Sequence, residues 1–182
     1  MKPFIYTEMM VHVPLCTHKN PKNILVIADD ATALSEELAR YKDCNVKIID
    51  AGNAIESIRE ESENSFDVII SETSEDIALL AHIARVSTDD GLCVVTHPNL
   101  DDVKANSELM RALGKDFKII MPYHAGEKTL LLASKEYHPT ADIILQRSDL
   151  LEGQNYYNCD VHIGSFAMGN YIRKNYLGII KN

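Results

Sequence analysis

Three carboxylates fall close together at Glu72, Glu75 and Asp76, directly after the apolar run Asp67-Val68-Ile69-Ile70-Ser71. Grouped in this way they could hold a diamine by its ammonium groups, while one of them takes a proton from an amine. A solvated acidic turn that caps the next helix fits the same spacing. A second pair, Asp29 and Asp30, lies in the turn Ala28-Asp29-Asp30-Ala31-Thr32-Ala33, again after an apolar run, Asn23 to Ala28. A turn that cradles a phosphate needs glycines, and this one has none. A pyrophosphate would meet two carboxylates there, which argues against NAD and FAD. The turn suits a cationic or neutral ligand, or an Asp capping a helix. Asp50 ends a further run about 20 residues past the first turn, where an acid can hydrogen-bond a ribose or simply close a strand.

Other chemistries find little support. Cys16, Cys44, Cys93 and Cys159 are far apart, with no CxxC, and the histidines form no HxH or HExxH pattern. Reduced thiols, no disulfide framework and no metal site are expected. With 27 acids against 18 bases the formal charge is −9. That field repels nucleic acid and anionic lipid and attracts a small polycation. Tyrosines number 8, phenylalanines 4 and tryptophans none, too few for a stacking surface. No signal-peptide core and no apolar run of membrane-spanning length is present, so a soluble, cytoplasmic protein is expected.

The elements that must position these residues alternate in period. Residues 4–17 carry Ile5, Met9, Val13 and Cys16 at helical spacing. Short apolar runs at 23–28, 45–50, 67–71 and 91–96 read as buried strands. Helical patterns follow at 31–41, 54–62, 74–86 and 100–113, with Ser74 as the expected N-cap of the third. The rhythm then breaks into two strands, Phe117 to Tyr123 and Lys128 to Ser134, joined by a short loop containing Gly126: an antiparallel hairpin. Alternation implies a parallel sheet with helices on both faces, and ligands beyond the carboxyl ends of its strands. An α/β, mostly parallel sheet closed by a C-terminal antiparallel hairpin resembles the methyltransferase type of Rossmann-like domain.

Both ends of the chain carry longer motifs. Phe4-Ile5-Tyr6-Thr7-Glu8-Met9, then His12-Val13-Pro14-Leu15 and His18-Lys19-Asn20-Pro21-Lys22, lead into the first strand. Near the other end stand Tyr156-Tyr157-Asn158, Val161-His162 and Phe166-Ala167. With Phe66-Asp67-Val68-Ile69-Ile70 and Glu72-Thr73-Ser74-Glu75 between them, these segments are collinear with motifs of the spermidine synthase family, which the chain resembles almost end to end.

The resemblance implies an aminopropyltransferase that acts on putrescine with decarboxylated S-adenosylmethionine as cosubstrate and needs no further cofactor. It implies Glu72 as the general base, Glu75 as a holder of substrate amine, and Tyr6 and Tyr157 as residues that orient the polyamine. Thr7 falls where the family has a His or Gln that contacts substrate. The donor would be met by Asp30 and Asp50, and the expected assembly is a homodimer. The departures are specific. The family's glycine-rich G-G-G-D-G-G turn is replaced, Ala31 stands where its donor-binding Asp belongs, and Glu replaces Asp at 72. Only 16 residues separate Asp50 from Asp67, so the sheet should be one βα unit short, and Asp50 matches either the ribose acid or the later adenine-contacting turn. The family's N-terminal β-hairpin domain has no counterpart, leaving one Rossmann-like domain over 1–182. The alternative is a catalytically degenerate relative that binds polyamine or nucleoside, or serves as a subunit. A methyltransferase using S-adenosylmethionine itself is disfavoured, because that ligand's carboxylate would meet Asp29 and Asp30.

Overall fold

Residues 2–182 are described by the computed structural model. Helix α1 (Pro3–Thr17) opens the chain and is followed by β1 (Asn23–Ile27), α2 (Thr32–Leu38) and β2 (Asn45–Ile49). Next come α3 (Ala54–Arg59), β3 (Phe66–Ser71), α4 (Ile77–Val86), β4 (Ser87–His97) and α5 (Val103–Leu113). The hairpin β5 (Ile119–Ala125) and β6 (Lys128–Ser134) precedes three short helices, α6 (Leu145–Leu150), α7 (Cys159–Ser165) and α8 (Asn170–Asn175). The six strands form one sheet in the order β2-β1-β3-β4-β6-β5. β1 to β4 run parallel, and β6 inserts antiparallel between β4 and β5.

Alternate side chains of each central strand feed two separate cores, which is why these strands read as unbroken apolar runs. Ile24, Val26, Val68, Ile70, Val94 and Leu132 pack on one face against α1, α2 and the segment around Tyr157. Leu25, Ile27, Ile69, Cys93, Val95 and Leu131 pack on the other against α3, α4, α5 and α8. α1 is the exception to the amphipathic pattern expected from its spacing: every residue from Glu8 to Thr17 is buried. It lies between the sheet and the C-terminal segment, so neither side faces water.

The expected mostly parallel sheet with an antiparallel hairpin is present. The sheet ends on β2, whose residues Asn45 to Ile48 are all exposed, including the apolar Val46 and Ile48. No further strand flanks β2 among the described residues. One boundary is corrected. α4 begins at Ile77, not Ser74, and its N-cap is Asp76, whose carboxylate accepts from the Ala78 N–H at 2.7 Å. The Ser74 hydroxyl is drawn away and donates to the Thr96 carbonyl at 2.8 Å, stitching the end of β3 to the end of β4.

Candidate active site at the carboxyl ends of the strands

Parallel strands point their carboxyl ends one way, and β1, β2 and β3 deliver Asp29, Asp30, Asp50 and Glu72 to that edge. Glu72 follows β3 directly and is fixed there by its backbone N–H, which donates to the Ile27 carbonyl at 2.8 Å. Its side chain is half-buried beside the Tyr6 hydroxyl of α1. Burial raises the Glu72 carboxyl above the usual carboxylate range. The Tyr6 contact and the Lys128 cation pull it back down, and Asp29 and Asp30 push it further up. Tyr6 responds in kind: burial and the Glu72 charge raise its phenol, so it remains a donor to the carboxylate.

Three cavities border this edge in sequence. The first, about 410 Å³, is walled by Ala51 to Ile55 at the start of α3 and by Thr73. Thr73 also lines the second, about 340 Å³, with Glu72, Glu75, Thr96 and His97. Thr96 and His97 in turn line the third, about 340 Å³, with Tyr6, Asn99, Glu127 and Lys128. Shared walls make the three a trough that runs from the α3 turn, past Glu72, to the hairpin loop.

The residues singled out from the sequence separate accordingly. Tyr6, Glu72 and Glu75 come together along the trough, Glu75 being exposed at its rim. Asp30 stands close enough to raise Glu72, yet its own carboxylate is exposed and accepts from the Thr32 N–H at 3.0 Å. That local bond, with the Thr32 side chain, holds Asp30 below the usual carboxylate range. Asp50 caps the turn after β2, accepting from the Gly52 N–H at 2.9 Å, beside the first cavity. The hydroxyl of Thr7 turns back to the Pro3 carbonyl at 3.4 Å. Tyr157 is placed elsewhere. It is 4% exposed, its hydroxyl donates to His162 Nδ1 at 2.8 Å, and it packs on His12 and lines none of the three cavities.

The structure adds residues that the sequence reading passed over. Lys128 sits with its ammonium 4.4 Å from the Tyr6 ring centroid, a cation–π contact at the mouth of the trough. Because β6, the second strand of the hairpin, pairs antiparallel with β4, the loop before it falls at the carboxyl edge and brings Lys128 there. His97 separates the second and third cavities. Its Nδ1–H donates to the Pro98 carbonyl at 2.8 Å, Nε2 has no partner among the described residues, and burial lowers its pKa to about 4. It is therefore a neutral ring near pH 7. Glu8, present in the sequence only as part of a motif, is wholly buried and accepts from the N–H groups of Asn155, Tyr156 and Tyr157 at 2.8, 2.9 and 2.8 Å. The two terminal motifs are thus one structure in space.

One group could hold a cation: His18, Asp67 and Asp90 each bring a ligand atom within 4.8 Å of the others. It lies at the amino ends of β3 and β4, and both carboxylates and His18 Nδ1 already hold hydrogen bonds, while His18 Nε2 has no hydrogen-bond partner among the described residues. His18 Nδ1 accepts from the Asn20 N–H, which leaves its hydrogen on Nε2. Asp67 accepts from the Lys22 and Asn23 N–H groups, and Asp90 from the Tyr137 hydroxyl. A metal on Nε2 would need that hydrogen moved to Nδ1, against the Asn20 N–H.

Fold and site together define a methyltransferase-like Rossmann domain with an acidic trough across its carboxyl edge. Residues 3–59 match the spermine/spermidine synthase domain model. A polyamine aminopropyltransferase of Clostridium beijerinckii is 27% identical over 219 residues, covering 93% of this chain and 77% of that protein. One of Helicobacter acinonychis is 25% identical, covering 90% and 73%. Among solved structures, a spermidine synthase of Thermotoga maritima superposes with a TM-score of 0.78 at 24% identity, covering 98% of this chain and 75% of that one. A spermidine synthase in complex with the transition-state analogue AdoDATO gives 0.77 at 23%, covering 98% and 76%. The chain is similar to the spermidine synthases (polyamine aminopropyltransferases) along nearly its whole length. The first of these alignments is longer than the 182-residue chain, so that relative carries residues with no counterpart here.

Proposed function

We propose that the chain transfers an aminopropyl group from decarboxylated S-adenosylmethionine to putrescine, with Glu72 as the general base. The observation that carries this reading is the half-buried Glu72, braced by Tyr6, at the midpoint of a trough with distinct ends. The nucleoside would lie over Ala51 to Ile55 beside Asp50, and the diamine toward Tyr6 and the hairpin loop. The neutral amine nitrogen attacks the methylene beside the sulfonium, and the C–S bond breaks as the C–N bond forms. The bonding pair leaves with sulfur as methylthioadenosine, and the proton of the new ammonium passes to Glu72.

Each charge has a counterpart. Donor and acceptor are both cations, and Asp29, Asp30, Glu72 and Glu75 supply the field that gathers them. Burial raises the Glu72 carboxyl toward the range where it takes an amine proton more readily, which favours general-base work. The donor is a cosubstrate, and no separate cofactor enters the reaction. We place the protein in solution as a homodimer of the cytoplasm. Among the described residues no helix is long and apolar enough to cross a membrane.

A second reading is favoured by one observation, the glycine-free turn in which the Asp30 carboxylate is occupied by the Thr32 N–H and Ala31 has no carboxylate at all. On that reading the fold is kept for binding polyamine or nucleoside, or as a subunit. Incubation with putrescine and decarboxylated S-adenosylmethionine, followed by mass spectrometry, separates the two. Spermidine and methylthioadenosine formed in equal amounts support the transferase. Neither product from folded protein supports the binding reading.

A further inference from the structure

We infer that the amino end of the sheet, opposite the trough, holds a second binding site, for a small polyvalent anion of phosphate type. The cavity there measures about 420 Å³, and four cations, Lys22, Arg40, Lys42 and Arg147, line it against a single acid, Asp43. In a chain with 27 acids and 18 bases this is a local inversion of charge. It is also unlike the trough, whose named carboxylates suit cations.

The four cations are not equivalent. Arg40 is paired with Glu37 at 2.7 Å and is in that sense neutralised. Arg147 is half-buried on α6 and donates only to main-chain carbonyls: Nη1 to Leu15 and His18, Nη2 to Lys19. Those carbonyls take three of its five N–H groups and leave its charge whole. No carboxylate lies within ion-pair distance of Arg147, Lys22 or Lys42 among the described residues. A guanidinium taken partly out of water without a counter-ion is costly, and an anion in the cavity would supply the missing charge. Phosphate oxygens match the guanidinium fork and the two ammonium groups. Such a ligand would tie together three segments that otherwise meet only at this corner: the turn before β1, the turn before β2, and α6. Pro21, Ile144 and Leu151 form the apolar part of the wall. The inference does not depend on aminopropyl transfer.

The test is calorimetric titration with inorganic pyrophosphate at low ionic strength, alongside sodium chloride matched for ionic strength. The parent protein should bind one pyrophosphate per chain, saturably, in pyrophosphate and not in chloride. Lys22 and Lys42 are exposed and hold no side-chain bond, so Lys22→Ala/Lys42→Ala should melt like the parent while its affinity falls by about tenfold or more. Absence of saturable binding at millimolar pyrophosphate overturns the inference. So does unchanged affinity in the double variant, which would place the anion elsewhere.

Discussion

Glu8 and Glu72 are the same side chain in opposite circumstances. Glu8 is sealed in the core, and three backbone N–H groups at 2.8 to 2.9 Å spend its lone pairs on holding the Asn155–Tyr157 segment to α1. Glu72 is half in water, with one hydroxyl beside it, a lysine to offset its burial and two aspartates that raise its proton affinity. A buried carboxylate held by three backbone N–H groups is a structural fastener. One whose burial is only partly compensated keeps the freedom to take a proton. Family motifs survive at both places, for different reasons: the terminal motifs build the clasp around Glu8, and the strand-end motif builds the site around Glu72.

The largest effect expected from breaking this contrast is at the clasp. Glu8→Ala leaves one buried and two part-buried N–H groups without their acceptor and should cost about 3 kcal/mol, read as a shift in the urea midpoint. A loss below about 1 kcal/mol would place Glu8 outside the scaffold.

Acid should attack the same region. His162 donates from Nε2 to the Pro139 carbonyl at 3.0 Å and accepts the Tyr157 hydroxyl at Nδ1, so the fold requires its neutral form. Burial lowers its pKa to about 4, below the ordinary 6.5. The unfolded chain then binds the proton more readily. The stabilisation is whole above pH 6.5 and is lost as pH falls from 6.5 through 4, about 3 kcal/mol for one fully buried ring. Denaturation at pH 7, 5.5 and 4.5 checks this, and His162→Gln should flatten the dependence.

Tyr157→Phe removes a single buried hydroxyl and should cost about 1 kcal/mol, with the KM for diamine unchanged. A clear rise in KM without loss of stability would move Tyr157 from the clasp to the site. Smallest is Lys128→Ala at the trough, where removing a cation from the path of a dication should lower the diamine KM a few-fold and leave the urea midpoint in place. A higher KM would instead make Lys128 a substrate-positioning residue.

Much of this was legible in the chain. Apolar runs bounded by polar turns gave the strands, because a strand buried on both faces needs no alternation. The antiparallel hairpin was marked by two apolar runs around a Gly126 loop. The cap of α4 was misjudged because Ser74 and Asp76 both suit an N-cap, and only the Thr96 carbonyl on a neighbouring strand decides which is free. At the site, Glu72 and Tyr6 were visible through motif and position. Tyr157 was named through its motif as a polyamine-orienting residue, but its surroundings, like those of Lys128, depend on where the C-terminal segment and the hairpin loop return in space. Glu8 escaped notice because a charged residue in a motif suggests chemistry, whereas its partners are backbone groups almost 150 residues away along the chain.

The contrast between the two glutamates is tested most directly by the single-turnover rate of Glu72→Gln, measured with decarboxylated S-adenosylmethionine and putrescine beside its urea midpoint. The amide keeps the shape and removes the base, so the rate should fall by about 100-fold or more with stability unchanged. A variant that turns over at the parent's rate would contradict Glu72 as the base and return the site to the role of a binding surface.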